Sequence, residues 1–110
     1  MLEIKSFHSA DVFDLDNWAP HSPEDVYLSL EFEVGEVGSA ESVVYSTCVA
    51  TGEGVRAHRD KYKLNAVQLK RTKHYLVPSF DWVTLKIELK KIVSENTHEQ
   101  LQRRFHWEYE

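Results

Sequence analysis

The chain has 110 residues, a formal net charge of −5 and one cysteine. That length suits one domain, residues 1–110, around a single core, and 42% hydrophobic with 28% charged residues excludes a disordered chain. The lone Cys48 excludes an intrachain disulfide, and no apolar run nears the roughly 20 residues of a membrane span.

"MLEIKSF" lacks the apolar stretch of a secretory signal, so a cytoplasmic address is the expectation. Charge is unevenly placed. Residues 1–55 hold 11 Asp/Glu against one Lys, whereas residues 56–110 hold 7 Asp/Glu against 12 Lys/Arg. Such a split can set up an acidic field that steers a basic partner, unless the fold intermixes the halves.

In chain order, Leu2–His8 reads as a first strand with Leu2 and Ile4 on one face. Residues 9–25 hold Pro20, Pro23 and clustered Asp, Asn and Ser, which favour turns. Val26–Val34 is a strand with one packed face, Leu28, Leu30, Phe32 and Val34, and one wet face, Tyr27, Ser29, Glu31 and Glu33. "GEVGSAES" is a turn, and β-branched Val43–Ala50 suits a central strand. Residues 51–72 fit neither period and read as an irregular connection with a short strand near Val67–Leu69. His74–Pro78 is a strand stopped by its proline.

The period then changes. Trp82, Leu85, Leu89, Ile92 and Val93 recur at helical spacing, with Ser79 as candidate N-cap and Asp81 near the positive helix end. Thr97 and Gln100 have capping-box spacing and open a shorter helix carrying Leu101 and Phe105. "HWEYE" closes the chain as a strand or ordered tail, with Trp107 and Tyr109 packing. Strands first and helices last predict an α+β fold: an antiparallel or mixed sheet of four to five strands with two C-terminal helices on one face.

"HRDKYKLN", His58 to Asn65, matches the spacing of a kinase catalytic loop, but the chain has no glycine-rich phosphate loop, no D-F-G and no room for two lobes. Its six histidines show no metal-ligand spacing, so neither a metal nor a cofactor is expected. Cys48 sits in an apolar strand, where a thiol is ordinarily inert. A pair such as His58 with His74 stays open, because general acids and bases need only meet in space. Arg56–Tyr75 carries seven Lys/Arg against one Asp with Tyr62 and Tyr75 interleaved, the pattern of an alternative nucleic-acid-binding module. The acidic total and the lack of any nucleic-acid-binding motif count against it.

Taken together, the opening strand followed by "DLDNWAP", the alternating strand ending in glycine, the strand to Cys48, "HYLVPSFDW", two helices and the closing "HWEYE" resemble the immunity protein 8 family of bacterial polymorphic toxin systems. The resemblance spans nearly the whole chain. It departs at Val49–Ala50, where the family pattern has Thr-Pro, and at Thr97–His98, where it has a Trp. It implies a non-enzymatic cytoplasmic protein that binds and neutralises a cognate toxin C-terminal domain. Many such toxins are nucleases with basic clefts. From charge, the candidate toxin-binding residues are Asp14, Asp16, Glu24, Asp25, Glu31 and Glu33, with Trp18 and Tyr27 as aromatic anchors.

Overall fold

A computed structural model describes residues 1–109 of the chain. The expected packing of the Tyr109 side chain lies outside the described residues. Five strands form one mixed sheet: β1 (Leu2–His8), β2 (Tyr27–Glu36), β3 (Val43–Ala50), β4 (His74–Leu76) and β5 (His106–Tyr109). The order runs β1-β2-β3-β4, and β5 also pairs with β3. β1–β2, β2–β3 and β3–β5 are antiparallel, while β3–β4 is parallel. The expected α+β class and central β3 are thus observed.

Register explains which residues are buried. Phe7, Phe32, Tyr45 and Trp107 form one cross-strand row, and Ile4, Val34 and Val43 another. These rows face helices α3 (Trp82–Glu95) and α4 (His98–Arg104). Leu30, Phe32, Val34, Tyr45, Leu89, Val93 and Leu101 are fully buried in the core between them. Phe105 meets Phe32 edge-on at 5.1 Å, and Trp82 meets Phe7 edge-on at 5.1 Å. Trp107 lies at the rim and is 41% exposed, less packed than its alternation suggests.

Caps fix the helix starts. Thr97 and Gln100 close the expected box on α4. Asp81, and not Ser79, caps α3: its carboxylate accepts from the Val83 N–H and the Thr84 hydroxyl.

Residues 51–72 correct the sequence reading. They form α1 (Gly52–Tyr62) and α2 (Ala66–Lys70), with no strand at Val67–Leu69. Neither helix shows an apolar stripe because α1 buries only Gly54 and α2 buries nothing. Capping chemistry starts both instead. The Thr51 hydroxyl accepts from Gly54, and Asn65 with Gln68 forms a capping box. α1 ends on Lys63 in the left-handed region, φ 53°.

Two features of the strands position the rest. Lys5 is the extra residue where the β1–β2 register shifts between Ile4 and Ser6, a β-bulge. β4 and β5 share one edge of β3, with Lys73 at the seam. Its carbonyl accepts from the Cys48 N–H and the Thr47 hydroxyl, and its ammonium donates to the Gln102 and Phe105 carbonyls.

Candidate functional site

The sheet face turned away from α3 and α4 collects the polar rows. His8, Glu31, Ser46 and His106 lie side by side across four strands. Ser6, Glu33, Val44 and Glu108 form the next row. Glu31 and Glu108 are exposed, and Glu33 reaches His8 at 4.0 Å. A depression of about 380 Å³ between Glu31, Ser46, His106 and Glu108 also touches Lys73.

At the other end of this face, α1 leans over β2 and leaves a cleft of about 470 Å³. Thr51 anchors the helix there. Its buried hydroxyl accepts from both Val26 and Gly54 N–H groups, and its own N–H donates to the Val26 carbonyl. Gly54 permits the approach, since a Cβ there would lie 1.9 Å from the Val26 carbonyl oxygen. Tyr27 then stacks flat on His58, ring centroids 3.8 Å apart and planes within 5°, and His58 touches Tyr62 at 4.7 Å. The Tyr27 hydroxyl shares a 2.9 Å hydrogen bond with His74 Nε2.

Burial dominates the titration of this cluster. It pushes the Tyr27 phenol up to about 12, with the Cys48 thiol adding to the rise. It pushes the Cys48 thiol up as well. It holds the His74 imidazole below its ordinary value, and the charge of His58 adds to that. The carboxylates of Asp11 and Asp25 also line this cleft.

The sequence-predicted site residues fall into two groups. Tyr27, Glu31 and Glu33 share the open face, and Asp25 lines the cleft. Trp18 packs edge-on against Phe80 at 5.2 Å and lines a neighbouring depression with Asp11, Asp25 and Tyr27. Asp14 and Asp16 face other tasks. Asp14 accepts from the Asn17 amide within a 3-10 turn, Leu15–Asn17. Asp16 accepts from the Trp82 indole at 2.9 Å and the Lys86 ammonium at 3.0 Å, which lowers its pKa, the indole bond contributing most. Glu24 is exposed in the loop. Asp11, His58 and Glu108 join the site beyond the residues predicted to bind the toxin. The outward phase of β5 could have flagged Glu108, Asp11 belongs to the acidic N-terminal half, and His58 and His74, considered above as a pair, both meet Tyr27.

The basic stretch is dispersed. Lys61 lines the cleft, the Lys73 ammonium is held by two carbonyls, and the Tyr75 hydroxyl donates to Glu88. The kinase-like string serves structure: His58 stacks on Tyr27, Asp60 meets Arg59, and Asn65 caps α2. Among the described residues no cluster of three or more His, Cys, Asp or Glu suits a metal ion, and no helix is long and apolar enough to cross a membrane.

The model of one family, immunity protein 8, matches residues 2–110. The chain belongs to the immunity protein 8 family. It is thus an immunity protein directed against a toxin. No curated protein and no solved structure matches it. For an immunity protein 8 chain the useful contrast is between its two sheet faces: one spends its side chains on α3 and α4, and the other presents carboxylates and a ring-walled cleft.

Proposed function

We propose that this protein neutralises a cognate toxin C-terminal domain by one-to-one association in the cytoplasm, performs no catalysis, and docks through the open sheet face. The observation that carries the reading is the placement of Glu31, Glu33 and Glu108 on the face opposite α3 and α4, beside a cleft edged by Asp11 and Asp25. A basic nuclease domain fits such a face, because complementary charge speeds encounter and discourages wrong partners. Tyr27 and Trp18 supply aromatic surface at the margin of the carboxylates. Glu24 extends the charge along the loop; Asp14 and Asp16 lie outside the open face, and Asp16 is already paired with Lys86, so their part in the contact is the smaller one.

The test is association kinetics with the toxin domain encoded beside the gene. Reversing Glu31 and Glu33 to lysine should slow association about tenfold or more at low salt. Both side chains leave the core untouched, so thermal unfolding should stay close to that of the parent. Reversing Asp14 and Asp16 as well should add a smaller loss. Unchanged association in the four-residue variant would place the contact elsewhere.

A further inference from the structure

We infer that the cleft between α1 and the open sheet face receives an arginine side chain of the toxin, its guanidinium lying on the ring wall and its charge meeting Asp11 and Asp25. The inference rests on the toxin-binding reading and adds the group that one subsite takes.

Three features of the cleft converge. The first is its wall. The Tyr62 ring is exposed and adjoins the Tyr27–His58 stack, and a tyrosine face attracts cations through its quadrupole. The second is that the chain's own cation already uses this wall. Lys61 Nζ lies 5.4 Å from the Tyr62 ring centroid. Lys61 is exposed on a flexible stem, so it can swing to solvent when a better fitting cation arrives. A guanidinium is planar and more weakly hydrated than an ammonium, so it stacks flatter and gives up less water.

The third feature is the margin. Asp11 Oδ2 accepts the Ser29 N–H at 2.8 Å, which fixes that carboxylate against β2. Asp25 lines the cleft from the loop before β2 and is exposed. Arginine meets carboxylates in a forked, two-bond geometry that a fixed acceptor favours. A volume of about 470 Å³ lies within the range of sites that bind small groups. Neither an anion nor a purely apolar side chain matches two carboxylates beside a ring wall.

Two measurements test this. In the first, the toxin domain is titrated against the parent chain, the Asp11→Asn/Asp25→Asn double variant, Tyr62→Ala and Tyr62→Phe. The double variant and Tyr62→Ala should each weaken binding about tenfold, roughly one charge-assisted bond or one desolvated cation–ring contact with its packing. Tyr62→Phe keeps the ring and should stay within about twofold of the parent. In the second, N-acetyl-arginine amide is titrated into the isotope-labelled protein. Amide shifts should appear at Ser29, Ala57, His58 and Tyr62, and should be smaller with N-acetyl-lysine amide. Parent-like toxin binding in both variants, or no cleft shifts with the arginine probe, overturns the inference and leaves the acidic-face reading standing. Failure of the parent chain to bind the toxin domain overturns the broader reading, and the arginine titration then decides the cleft alone.

Discussion

Helices α3 and α1 sit on opposite faces of the same sheet and are held by different physics. α3 buries Trp82, Leu85, Leu89 and Val93 in a continuous stripe. Each large apolar side chain so buried stabilises by about 1.5–3 kcal/mol before entropy is counted. α1 buries Gly54 alone and is fastened by the Thr51 hydroxyl, a close backbone approach and the Tyr27–His58 stack. A helix held by area resists change because its contacts are many. A helix held by a few specific contacts can be adjusted, and α1 borders the cleft proposed above to meet the toxin. The packed face keeps the molecule folded, and the proposed docking face is the one that can change with little loss of core area.

The largest expected effect breaks the α3 and α4 side. Phe105→Ala removes a ring that touches Phe32 and Tyr45 and is almost fully buried. It should cost about 3–5 kcal/mol in denaturant unfolding, close to global loss of the fold at physiological temperature. The α1 side should break more gently and more locally. Gly54→Ala forces a Cβ onto the Val26 carbonyl and should cost about 1–3 kcal/mol. Hydrogen exchange should rise along α1 while α3 stays protected. Equal loosening of both helices would show that they are one cooperative unit and would remove the contrast.

Two smaller effects sharpen it. Lys63 ends α1 in a left-handed conformation that costs an L-residue about 1 kcal/mol, so Lys63→Gly should stabilise by up to about that amount, read as a higher unfolding midpoint. His74 supplies a pH dependence. Its imidazole is held neutral by burial, so the folded state binds a proton less readily than the unfolded chain, whose histidine titrates near 6.5. The contribution is complete above pH 6.5 and is lost as pH falls through the lowered folded value. Stability should therefore decline more steeply below pH 6.5 in the parent than in His74→Gln, and the difference should vanish above that pH.

The same contrast explains what could be read in the sequence. α3 was legible because burial imposes a repeating stripe. The period-2 alternation of β2 gave both its packed face and its wet one, and with it Glu31 and Glu33. α4 was legible from Thr97 and Gln100. The identical logic at Asn65 and Gln68 was present but masked, because Val67 and Leu69 alternate like a strand and nothing is buried to contradict them. α1 carries no stripe, and the cap at Thr51 went unread, because a threonine before two glycines looks as much like a turn as a helix start. The cleft could not be read at all as a unit. Asp11, Tyr27, Cys48, His58 and His74 come from a loop, three strands and a helix, and only the antiparallel and parallel registers bring them together. Asp16 looked like one more free acid until the fold gave it an indole and an ammonium.

The bulge at Lys5 has its own consequence for how any partner can attach. β1 ends the strand order, and its outer backbone would otherwise invite another chain to continue the ladder. The extra residue kinks that edge, while its own side chain lies back over Gly35 of β2, its ammonium tied to Glu3 at 3.3 Å. At this edge a further strand, from another copy of the chain or any other protein, meets a ladder that is out of step with its own repeat.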